Sequence, residues 1–131
     1  MILDIDRAFE PAIAAIGGEI HWPGRAFTPK PGIPYVRARM AGRAANTIGL
    51  GEHAPRMWQG MLYLVVHQPA SDGLYPASGR AQAVEALFKR GTHLISGRAK
   101  VTIEAVSILA PEESADWNRV PVVVTWFAME T

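Results

Sequence analysis

The chain has 131 residues, which suits a single domain over residues 1–131 and is too short for two of ordinary size. It contains no cysteine, which excludes disulfides and thiolate chemistry, and its 13 basic against 12 acidic side chains, net charge +1, lack the strongly basic balance of a nucleic-acid binder. Charged residues make up 19% against a usual ~25%, a shortage that points to surface hidden in an assembly.

Asp4, Asp6 and Glu10 interrupt the first ten residues with no basic flank before an apolar run, so a cleaved export signal is not expected. From Ile5 the apolar positions Ile5, Ala8, Phe9, Ala12, Ile13 and Ile16 follow the three-and-four spacing of an amphipathic helix, ending at Gly17-Gly18. Pro11 opposes a regular helix, because an interior proline removes one backbone hydrogen bond and costs ~3 kcal/mol. The helix is therefore expected to start late or to kink there. Residues 19–34 hold Pro23, Pro29, Pro31 and Pro34 with Gly24 and Gly32, and read as an extended crossing loop.

Tyr35 to Met40 alternates, with Tyr35, Arg37 and Arg39 on one face and Val36, Ala38 and Met40 on the other, as a strand does. Residues 41–55 turn to small residues with Gly42, Gly49 and Gly51, and read as a long loop carrying Arg43, Glu52 and His53. Met57 to Gln68 is aromatic and β-branched, a second strand closed by Pro69 and Ser71-Asp72-Gly73. A second helix follows, with Ser78 as N-cap, the stripe Ala81, Val84, Leu87 and Phe88, Lys89 and Arg90 at its C-terminal end and Gly91 at C′.

Thr92 to Ile95 reads as a short strand, and about Arg98 to Leu109 as a longer one. Its apolar phase switches near Ala105, so a bulge is expected there. An acidic turn with Glu112, Glu113 and Asp116 leads to a last strand from about Trp117 to Met129, where Pro121 requires an edge or a bulge. The longest nearly apolar stretch, Val120 to Met129, is about half of the ~20 residues a membrane helix needs.

This order predicts an α+β fold, a mainly antiparallel four- to five-stranded sheet with two helices packed on one face. The other face is the anomaly. The final strand puts Val120, Val122, Val124 and Trp126 on one side and Val123 and Phe127 on the other. The second strand sets Leu62, Leu64 and Val66 against Met61, Tyr63 and Val65. A monomeric antiparallel sheet with one wet side shows polar residues outward, so either the proline-rich loop or a neighbouring subunit is needed to cover the second face. Burying four such side chains contributes on the order of 6–12 kcal/mol before entropy losses, enough to drive association.

Candidate chemistry is sparse. His21, His53, His67 and His93 lie in separate segments without metal-ligand spacing, and His67 reads as facing solvent or bonding a backbone carbonyl. Ser71 lacks a strand-to-helix nucleophile elbow. Gly49-Leu50-Gly51 lacks both the third glycine of a dinucleotide fingerprint and a phosphate loop. Glu112, Glu113 and Asp116 read as a solvated turn. Arg37, Arg39, Arg43 and Arg56 cluster around the 41–55 segment, which reads first as a solvated loop and otherwise as one that docks on an acidic neighbour or touches DNA. No catalytic, metal-binding or cofactor-binding residue is assigned.

Taken in order, Phe27-Thr28-Pro29, the run Pro31-Gly32-Ile33-Pro34-Tyr35-Val36-Arg37, Gln59-Gly60, Pro69 with Gly73, Phe88-Lys89-Arg90-Gly91-Thr92 and Trp117-Asn118-Arg119-Val120-Pro121-Val122 span essentially the whole chain. In this arrangement it resembles the phage tail terminator-like family, tail completion proteins of long-tailed phages and prophages. The resemblance implies a non-enzymatic structural protein, without cofactor, that closes into a hexameric ring on the head-proximal end of the tail tube and stops tube polymerisation. The implied partners are other copies of the chain, the tail tube protein and a head-completion protein, with no membrane and no specific nucleic acid. The implied location is the virion tail, and the host cytoplasm during assembly. The candidate interface residues are Arg43 and Arg56 around the 41–55 segment and Trp126 and Phe127 on the last strand. Two alternatives stand beside it: another neck protein such as a head-tail connector or stopper, and a small ligand-binding domain, which requires a concave pocket with convergent polar groups.

Overall fold

The computed structural model of the chain describes residues 1–47, 49, 51, 54 and 56–130. Among these residues the chain forms α1 (Ile2–Ala14), β1 (Glu19–His21), β2 (Tyr35–Thr47), β3 (Arg56–Pro69), a 3-10 turn (Ala70–Asp72), α2 (Leu74–Leu87), β4 (His93–Ser96), β5 (Ala99–Ile108), β6 (Glu112–Glu113) and β7 (Trp117–Glu130). The strands make one sheet in the order β1-β2-β3-β7-β5-β4, with β6 extending the pairing of β7 beside β5. The fold is α+β, but the sheet has seven strands rather than four or five, and β1 runs parallel to β2.

The long central strands decide most differences from the expected boundaries. Residues 41–47 carry few β-formers, yet they continue β2 instead of opening a loop, because Ala44 to Thr47 pair with Gln59 to Arg56 of β3. Cross-strand pairing overrides weak propensity here, and a bulge between Ala41 and Ala44 absorbs Gly42 and Arg43. The expected crossing loop at 19–34 likewise opens with β1, three residues held by Tyr35 to Arg37. The bulge expected near Ala105 is present, as a register shift between Ile103 and Ala105 opposite β7.

Both helices differ at their ends. α1 runs through Pro11 to Ala14; the proline lies in its last turn. α2 begins at Leu74, so Ser78 is inside the helix and not its N-cap. Gly73, at φ +80°, turns the chain into it, and Pro76 sits in the first turn, where a missing N–H leaves no helix bond unmade. α2 ends at Leu87, leaving Lys89 and Arg90 beyond it. The Gly91 N–H then donates to the Ile103 carbonyl of β5.

Both helices pack on one face. Ile5, Phe9 and Ile13 of α1 and Ala77, Ala81 and Val84 of α2 close over Val36, Leu62, Leu64, Val66, Val101, Ile103, Val120, Val122, Val124 and Trp126. Trp126 is the largest of these, 1% exposed and set edge-on against Phe9 at 5.5 Å.

Candidate assembly interface

The face of the sheet away from the helices is apolar and incompletely covered. Met57, Met61, Tyr63 and Val65 of β3 stand in register with Met129, Thr125, Val123 and Pro121 of β7, and Phe127 lies opposite Gln59 and Thr102. Apart from exposed Gln59, these side chains are half-buried. The proline-rich segment meets this face at one end, where Phe27 packs on Tyr35.

At that end the register assembles an aromatic cluster. Tyr35 pairs with His67 across β2 and β3, and their rings stack at 4.2 Å, 8° from parallel. Phe27 packs on Tyr35 at 5.0 Å, His21 on Phe27 at 5.1 Å, and Trp117 meets Tyr35 edge-on at 5.2 Å. The His67 Nδ1–H donates to the Val65 carbonyl at 3.1 Å, so the carbonyl-bonding reading of this histidine holds and the solvent-facing one does not. Burial holds its pKa well below the ordinary histidine value, at about 4, and the nearby Arg119 and Arg37 cations act in the same direction. Burial also pushes the Tyr35 phenol up. His67 is thus a neutral, stacked ring at neutral pH. His21, Phe27, Tyr35 and His67 line a concavity of about 590 Å³ together with Leu109 and Glu112.

The candidate residues separate. Phe127 lies on the open face. Its neighbour Trp126 points the other way, into the core, and offers no surface to a partner, because successive strand residues face opposite sides and the helices have taken the Trp126 side. Arg43 reaches back to α1, where Nη1 contacts both carboxylate oxygens of Asp6 at 2.6 Å. Arg56 is exposed, its guanidinium 5.9 Å from the centre of the Trp58 ring. His53 and Leu50 lie outside the described residues. Glu112 and Glu113 form a strand beside Arg119 and Asn118 in place of the expected free turn. Among the described residues no three histidine, aspartate or glutamate side chains gather as a metal site, and no helix is long and apolar enough to cross a membrane.

What the geometry offers is an apolar face with arginines of β2 on one side and, among the described residues, no concentration of catalytic groups. Comparison with known proteins agrees with this character. The model of the family described as phage tail terminator protein matches residues 4–126. The chain belongs to that family. Its members are structural proteins of the phage tail, and this chain accordingly has a structural role in a phage tail.

Solved structures share the fold, two of them as follows. One, named only by a sequence identifier, is 21% identical with a TM-score of 0.74, over 99% of this chain and 93% of the other. A chain from the virion of a native gene transfer agent particle is 16% identical with a TM-score of 0.61, over 99% and 97%. No curated protein sequence matches significantly.

Proposed function

We propose that this tail terminator protein closes into a ring, hexameric as the family resemblance implies, on the head-proximal end of the tail tube, where it stops tube polymerisation and presents a surface to a head-completion protein. The observation that carries the reading is the family match over residues 4–126. The half-covered apolar face from Met61 to Phe127 supplies the physical need for a partner, and the likeness to a chain of a gene transfer agent virion is consistent with it. A ring is a heterologous interface closed by rotation, so each copy uses two different surfaces.

Phe127, Arg56 and the paired ends of β2 and β3, Ala44 to Thr47 with Gln59 to Arg56, are the proposed contacts to the tail tube, with Trp126 supporting the face from beneath. Arg43 contributes by fixing β2 to α1 through Asp6.

The test is addition of the purified protein to growing tail tubes, followed by electron microscopy. Decoration of one tube end and arrest of elongation are expected. Decoration of capsids instead, or tubes that keep growing, would overturn the terminator role in favour of a connector or stopper. Phe127→Glu should abolish end-binding while the protein stays folded by circular dichroism, with Tm lowered by the loss of a half-buried ring.

A further inference from the structure

The two edges of the sheet carry opposite, unneutralised charge. At the β2 edge, a groove of about 460 Å³ between β2, α1 and the residues after β1 is lined by Arg25, Arg37, Arg39 and Arg43 against Asp6 and Glu10. Arg43 already holds Asp6. Arg25, Arg37 and Arg39 form no ion pair with any described residue, although the Arg39 guanidinium lies 5.3 Å from the Tyr63 ring centre.

Across the sheet, the segment 104–116 carries Glu104, Glu112, Glu113 and Asp116 and contains no lysine or arginine. All four carboxylates are exposed, and none is in an ion pair with a described residue.

The backbone is unpaired on the same two edges. β1 covers β2 only at Tyr35 to Arg37, and the bulge after Ala41 ends the straight run beyond it, leaving Ala38 to Ala41 without an outer neighbour among the described strands. On the other side, β4 covers β5 to Thr102, and the Thr92 and Gly91 backbone reaches Ile103. Past the bulge, Ala105 to Ile108 have no outer neighbour among the described strands. Ile108 and Leu109, 37% and 45% exposed, end this free stretch. Open strand edges are ready templates for another chain.

From this juxtaposition we infer that the β2 edge of one copy receives the 104–113 edge of the next, with Arg37 and Arg39 facing Glu104, Glu112 and Glu113, and Ile108 and Leu109 entering the groove. This rests on the ring reading and names its two unlike surfaces. Charge complementarity sets the orientation and excludes like edges, while apolar burial and the short strand pairing supply holding energy.

Reversed-charge variants test the assignment, with light scattering over a concentration series and purified tail tubes added as template. Arg37→Glu with Arg39→Glu, and separately Glu112→Arg with Glu113→Arg, should each weaken assembly at least tenfold, because like charges then meet at every interface. An equimolar mixture of the two should assemble to within about threefold of wild type, since each reversed edge now finds a reversed partner. Far-ultraviolet circular dichroism verifies folding, and the milder Arg37→Gln with Arg39→Gln pair, also expected to weaken assembly, replaces the first variant if that one does not fold. Wild-type assembly by either reversed pair, or a mixture no better than its components, overturns the edge assignment and leaves the ring reading standing. A wild-type protein that associates with neither itself nor tubes overturns both.

Discussion

Gly60 and Trp126 stand opposite each other on β3 and β7, and the indole occupies the space a side chain at residue 60 would need. A Cβ on Gly60 would lie 2.6 Å from Trp126 Cζ2 and 3.0 Å from Cε2. The largest core side chain therefore fits because its neighbour has none. Gly60→Ala must displace a ring that Phe9 also holds, and overpacking of this kind costs typically ~1–3 kcal/mol. The expected result is a Tm lower by several degrees, with a change in tryptophan emission. An unchanged Tm would show that β3 and β7 can separate without cost.

Gly79 gives the opposite sign. It lies in the interior of α2, is exposed, and an added Cβ would meet nothing within 4 Å. Gly79→Ala should raise stability by roughly 0.5–1 kcal/mol, the helix cost of glycine relative to alanine, measured by urea titration with an unchanged m-value.

The contrast between these positions shows what the sequence disclosed. Phase alone located the bulge at Ala105, because Val101 and Ile103 cannot share a face with Val106 without an extra residue. The same alternation separated Trp126 from Phe127 but did not say which of them the helices would cover. That depends on α1 and α2 docking, and it removes Trp126 from the candidate interface. Ala41 to Ala45 gave no strand signal, since their extended conformation is imposed by β3. The Tyr35–His67 stack was out of reach for a related reason: the residues are far apart in the chain, and only the register brings them together.

Arg43 has a structural duty that its place beside a glycine-rich segment did not reveal. Its contact with Asp6 ties the far half of β2 to α1. The pair is partly exposed, so Arg43→Ala should cost no more than ~1 kcal/mol. Arg43→Glu should cost more by placing two carboxylates together, and Asp6→Lys combined with Arg43→Glu should recover most of the loss. A double-mutant cycle in thermal denaturation reads this coupling. Arg56→Glu should leave Tm nearly unchanged and serves as the cleaner probe of assembly.

Gly97 closes the β4–β5 turn at φ +54°, a conformation unfavourable to other residues, and a Cβ there would lie 2.6 Å from Asp4 Oδ1. The Asp4 carboxylate in turn accepts a hydrogen bond from the Arg98 N–H at 3.4 Å. Gly97→Ala combines backbone strain with displacement of that carboxylate and should destabilise by roughly 1–3 kcal/mol. Asp4→Ala should lose less, and the double variant should cost less than the sum, because removing the carboxylate relieves the clash but not the φ strain. Additive losses would mean that the two do not compete for the same space.

His67 gives the protein a specific acid sensitivity. Its folded pKa is about 4 against an ordinary 6.5, so between these values the unfolded chain binds a proton that the native ring refuses. Stability therefore falls as pH drops from about 6.5 towards 4, and this contribution does not change further below the folded pKa. The loss is on the order of 2 kcal/mol once residual solvent screening is allowed for. Carboxylates add their own dependence nearer pH 4, so the diagnostic window is pH 6.5 to 5. There His67→Phe, which keeps a flat ring against Tyr35 but cannot take up the proton, should flatten the fall in Tm seen for wild type. An equal slope in both proteins would mean that the ring at residue 67 is protonated in the native state without penalty.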